Sequence, residues 1–71
     1  MDKDKLLVEL GLTVKRIREE KGLSQTQLAN SIGKDQPSVN RLEKGNINPS
    51  YIYLLEICEG LDIQLKDLLD S

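Results

Sequence analysis

Gln36, Asn40 and Arg41 crowd into one short stretch, QPSVNR, beside Pro37. Gln and Asn each carry a donor and an acceptor side by side, and Arg carries a planar fork of donors. Such groups suit the reading of another molecule's hydrogen-bonding edge rather than bond breaking. The rest of the composition points the same way. The 71 residues contain no His and one Cys, so a zinc-type ligand set and an internal disulfide are both excluded. No carboxylate pair stands in a recognisable catalytic setting. Cys58 reads as a small buried apolar group. The expectation is a protein that is not an enzyme and needs no cofactor and no metal.

These side chains need a frame, and residues 25–44 supply one. Leu28, Ala29 and Ile32 lie on one face of a helix. Gly33 follows, where a sharp reversal needs a positive φ or a missing Cβ. Asp35 can cap a second helix, with Pro37 in its first turn, where the absent N–H costs nothing. Val39 and Leu42 make that helix apolar on one side, leaving Gln36, Pro37, Asn40, Arg41 and Lys44 on the other. Two helices crossing over so short a turn come close, and Ala29 is small enough to let them. This is the helix-turn-helix pattern, a unit that docks on DNA. Its free face carries suitable chemistry. Gln and Asn can bond adenine twice, Arg can bond guanine O6 and N7, and Pro37 can touch a thymine methyl.

Three further stretches appear in order: Ile17-Arg18 through Lys21-Gly22-Leu23-Ser24-Gln25, then Val39-Asn40-Arg41-Leu42-Glu43-Lys44-Gly45, then Asn48-Pro49-Ser50 before an apolar helix. With them the chain resembles the Cro/C1-type (XRE-like, phage-repressor-like) helix-turn-helix family over about residues 11–69. The resemblance implies an all-α, compact five-helix bundle of the phage-repressor type. It makes Gln36, Pro37, Asn40 and Arg41 base-edge candidates, and pairs Arg18 with Glu43. It also gives Gln25 a DNA-backbone contact and the bracing of the recognition helix, and offers Asn46 and Asn48 as phosphate contacts from a loop. Lys34 and Lys44 read as backbone-positioning charges, and a paired Arg18 could present itself near a phosphate.

Helices are expected at about 4–21, 25–32, 35–44, 49–61 and 64–69. In the first, Leu7, Leu10, Val14 and Ile17 form the apolar stripe, and Asp2 or Asp4 can cap the start. Gly11 sits mid-pattern and weakens the helix by about 1 kcal/mol relative to Ala. Ser24 caps the second helix. Asn48, before Pro49, is a good cap for the fourth. The resemblance implies Tyr51, Leu54, Ile57, Cys58 and Leu61 as the fourth helix's core stripe, and Asp62 at the left-handed stop where the family has Gly. Ile52 and Leu55 are left on a second apolar face. We therefore expect a homodimer built from Ile52 and Leu55 with some of Tyr53, Leu65 and Leu68.

A core in a chain this short is marginal, so association would help. Net charge is −2, against the basic balance usual for DNA binders. The charge is uneven: residues 1–45 hold nine Lys/Arg and seven Asp/Glu, and residues 46–71 hold one Lys and five Asp/Glu. The basic side is thus the half with the helix-turn-helix, and the acidic end should face away from DNA. No apolar run is long enough to span a membrane, the N-terminus lacks a signal-peptide pattern, and a single thiol fits a reducing cytoplasm, bacterial or phage in setting. No repeat or linker stands out, so residues 1–71 read as a single DNA-binding domain.

The leading expectation is a sequence-specific double-stranded DNA-binding transcriptional regulator, a repressor or controller protein, working as a homodimer on an inverted-repeat operator. The alternative is an antitoxin-type protein-interaction module of a toxin–antitoxin pair, using the spare apolar face and acidic end.

Overall fold

The computed structural model describes residues 1–69. It contains five helices: α1 (Lys3–Glu20), α2 (Gln25–Ser31), α3 (Gln36–Glu43), α4 (Tyr51–Leu61) and α5 (Leu65–Leu69). Each lies within two residues of its sequence-based expectation. None of the described helices is long and apolar enough to cross a membrane.

Local chemistry sets the boundaries. Asp2 caps α1 by accepting from the Lys5 N–H at 3.1 Å. Ser24 and Gln27 form a reciprocal capping box at the start of α2, which satisfies two of the orphan donors of that helix end. Asp35 caps α3 through the Ser38 N–H at 2.9 Å, with Pro37 in the first turn. Gly33 takes φ +70° in the turn between α2 and α3. Asp62 closes α4 at φ 55°, ψ 49°, the left-handed stop.

The cap of α4 corrects the sequence-based expectation. Ser50, not Asn48, accepts from the Tyr53 N–H, at 3.0 Å. Pro49 therefore precedes the cap, and α4 starts at Tyr51.

Val14, Leu28, Val39, Leu42, Ile57 and Leu61 are almost fully buried and meet at the centre, with Ala29 at 0% exposure between α2 and α3. Burial of each large apolar side chain is worth about 1.5–3 kcal/mol, so the crossing of α2 and α3 is fixed mainly by this cluster. Cys58 joins the core. Burial, aided by the nearby Asp67 carboxylate, pushes its thiol pKa up, the direction that disfavours the reactive thiolate.

Two expectations about this core change. Tyr51 is 64% exposed, whereas Tyr53 is 8% exposed and packs inside. The two tyrosines flank the stripe of Leu54, Ile57 and Leu61 on opposite sides, and Ser38 of α3 covers the Tyr53 side. Gly11 is a close approach rather than a weak point. A Cβ there would lie 2.4 Å from the Glu43 carbonyl oxygen and 2.6 Å from that of Leu42, so only glycine lets α1 lie against the end of α3.

Candidate nucleic-acid interface

The end of α3 is anchored to α1 through charge. Arg18 Nε donates to Glu43 Oε2 at 2.6 Å and Arg18 Nη2 to Oε1 at 3.0 Å. Arg18 Nη1 donates to the Leu23 carbonyl at 2.7 Å. The two side chains are 8% and 2% exposed, so this is the expected pair, bidentate and desolvated. The hydrogen bond to Glu43 holds the Arg18 pKa above its ordinary value, against the effect of burial. Arg18 thus forms the structural pair, and with its side chain 8% exposed it has little left to present to a phosphate.

Gln25 extends this anchor toward the free face of α3. Its Nε2 donates to Glu43 Oε1 at 2.9 Å. Its Oε1 accepts from Gln36 Nε2 at 2.7 Å and from Asn40 Nδ2 at 3.3 Å. One amide at the start of α2 therefore braces both ends of α3. Its side chain is engaged within the protein, so any backbone contact by Gln25 must share these partners. The link from Gln25 to Asn40 has no signature in the sequence, because their proximity depends on the helix crossing.

The structure brings Gln36, Asn40 and Gln25 together as one hydrogen-bonded set, each half-buried. Gln36 Oε1 and Asn40 Oδ1 accept no hydrogen bond among the described residues, and each side-chain amide nitrogen keeps a second proton. Pro37 and Arg41 are exposed. Lys44 and Asn46 are exposed and line an open groove with Gln25, Asn40 and the Lys15 and Leu12 side of α1.

Two expected phosphate contacts stand apart. Asn48 lies against the start of α1, beside Lys3, Leu6 and Leu7. Lys34 holds its ammonium 3.6 Å from the Glu56 carboxylate and 5.4 Å from the centre of the Tyr53 ring, so much of its charge is answered within the protein. No group of three or more His, Cys, Asp or Glu able to hold a metal occurs among the described residues.

An outward polar helix held by a buried fork and seated over a two-helix crossing is the geometry of a helix-turn-helix DNA reader. The chain belongs to that family: the helix-turn-helix family model matches residues 14–68, and the protein is a DNA-binding transcriptional regulator of the Cro/C1 type. It is 35% identical over 68 residues to the uncharacterized HTH-type transcriptional regulator y4dJ of Sinorhizobium fredii, covering 96% of this chain and 84% of that one. Among solved structures it is similar to the restriction-modification controller protein C.AhdI of Aeromonas hydrophila (TM-score 0.85, 37% identity, covering 87% of this chain and 94% of that one). It is also similar to the controller protein C.Esp1396I, solved as a tetramer in complex with its natural 35 base-pair operator (TM-score 0.79, 28% identity, covering 90% of this chain and 95% of that one). The relatives are regulators rather than enzymes.

Proposed function

We propose that the protein binds an inverted-repeat operator in double-stranded DNA as a homodimer, laying α3 of each copy in the major groove. The observation that carries this reading is the outward set on α3: Gln36, Pro37, Asn40 and Arg41 stand free of the core while Val39, Leu42 and Glu43 are buried beneath them. Arg41, exposed and without a side-chain hydrogen bond among the described residues, reads a guanine. Gln36 and Asn40 offer paired donors and acceptors to base edges. Lys44 and Asn46 meet phosphates beside them, while Lys34 and Asn48 contribute less and Gln25 acts first as a brace.

The second copy docks on α4. Ile52 is 63% exposed, Leu55 37% and Tyr51 64%, and these three share one helix face. Half-buried Leu65 can join them; Tyr53 and Leu68 are occupied by the core of their own chain, at 8% and 3% exposure. A C2 dimer would place two recognition helices about 34–36 Å apart, one turn of the duplex. The C.Esp1396I tetramer in complex with its natural operator supports the use of several copies. A regulator of this kind works in the cytoplasm of a bacterium, encoded by the cell or by a phage.

Selection from random duplexes with the purified protein tests the proposal. Enrichment of a two-fold symmetric site with half-sites about 10 base pairs apart is the expected result, and enrichment of no sequence would refute it. Arg41→Ala should cost about 1–3 kcal/mol in operator binding and relax preference at one base pair. Equal weakening on every duplex would reassign Arg41 to phosphate.

A further inference from the structure

The N-terminal turn of α3, already bonded to α2 through Gln36 and Gln25, is also tied to α4 by a contact outside the Arg18–Glu43 anchor. The Tyr53 hydroxyl lies 3.1 Å from Ser38 Oγ. Tyr53 is 8% exposed, so its phenol has few partners to choose among, and Ser38 follows Gln36 and Pro37 in the first turn of α3. The ring beneath is capped by the Lys34 ammonium at 5.4 Å, and that ammonium is itself held near Glu56 of α4. Two links thus run from α4 to the segment 34–38: one through a hydroxyl pair, one through a cation over a ring and a carboxylate.

We infer that Tyr53 is a positioning residue for sequence reading: its hydroxyl, bonded to Ser38, fixes the pitch of the first turn of α3 and thereby the aim of Gln36 and Pro37. The inference rests on α3 being the reading helix. Beyond the Gln25 amide, which reaches both ends, it assigns the two ends of that helix to different supports. Asn40 and Arg41 lie close to the Glu43 anchor, whereas Gln36 and Pro37 lie beside Ser38. Loss of the phenol hydroxyl should therefore loosen one end of the reading surface and spare the other. Ile52 and Leu55 stand on the outer face of the same α4, so the surface offered to a second copy and the support under the first turn of α3 belong to one rigid helix.

The test compares Tyr53→Phe, which keeps the buried ring and the seat for Lys34, with Ser38→Ala, the double variant, Gln36→Ala and Arg41→Ala. Each is assayed on the selected operator, on all its single-base changes, and on unrelated duplex. Tyr53→Phe should lower operator affinity by about three- to tenfold, the range spanned by one neutral hydrogen bond, with binding to unrelated duplex unchanged. Its preference should relax at the base pair that Gln36→Ala relaxes and hold at the one assigned to Arg41→Ala. Ser38→Ala should give the same pattern, and the double variant should be no worse than either single one. Wild-type preference at every position in Tyr53→Phe overturns the inference, as does uniform weakening across all positions, which would mark a merely structural loss. If the wild-type protein itself prefers no duplex, the reading-helix proposal falls first.

Discussion

The two ends of α3 are held by opposite means. At its C-terminal end Glu43 is sealed from water in a two-point fork with Arg18, and the backbone there lies flush against Gly11. At its N-terminal end the supports are the Asp35 cap, the Gln36–Gln25 amide pair and the Ser38–Tyr53 hydroxyl pair, all nearer to solvent. A hydrogen bond involving an ion contributes about 1.5–3 kcal/mol, and a neutral one about 0.5–1.5 kcal/mol. The helix thus divides its labour. One end is an alignment point that cannot shift without unfolding its neighbours. The other is held by lighter bonds, one of which, the Gln36–Gln25 amide pair, a base edge can share.

Four substitutions probe this division. Glu43→Ala should have the largest effect, about 3–5 kcal/mol of lost stability, because Arg18 is left buried without a counter-ion. Thermal unfolding reads it directly, and a loss under about 1 kcal/mol would show that the fork is not an anchor. Gly11→Ala should come next, at about 1–3 kcal/mol, since the new methyl meets backbone carbonyls that have nowhere to move. This outweighs the gain of about 1 kcal/mol in helix propensity, and a stabilised variant would mean that α1 and α3 can separate freely. At the other end, Asp35→Ala should cost about 1 kcal/mol, the usual worth of an N-cap. A denaturant midpoint shifted as far as that of Glu43→Ala would erase the distinction between the ends. Smallest is Arg16→Ala. Arg16 meets Glu20 at 2.9 Å, but both side chains are more than half exposed, so the change should stay within about 0.5 kcal/mol. Arg16 and Arg18 pair with carboxylates at similar distances, so this control contrasts a single exposed contact with the buried fork.

Much of this was legible in the sequence because it is local. Ser24, Asp35 and Pro37 announce helix starts through their own capping chemistry, and the spacing of Leu28, Ala29, Ile32, Val39 and Leu42 gives the crossing. Arg18 and Glu43 came instead through family resemblance, and the structure joins them. What stayed hidden depends on contacts between distant segments. Nothing around Gly11 says that the carbonyls of residues 42 and 43 will lie 2.4–2.6 Å from a Cβ placed there. Tyr51 and Tyr53 sit symmetrically about their helix stripe, and only the position of Ser38 decides which is buried. Asn48 and Ser50 are both good caps on either side of Pro49, and the geometry of the loop selects Ser50. The resemblance makes Gln25 a brace of the recognition helix, but only the crossing shows that Glu43, Gln36 and Asn40 are the partners gathered around its amide.

The burial of one tyrosine and the exposure of the other gives the protein an intrinsic optical probe. With no tryptophan in the chain, ultraviolet emission comes from these two phenols alone. A water-borne quencher should reach Tyr51, 64% exposed, far more readily than Tyr53, 8% exposed. Pairing of two copies through α4 should shield the first ring, while a disturbance beneath the reading helix should alter the second, so that self-association and recognition can be followed separately without any attached dye.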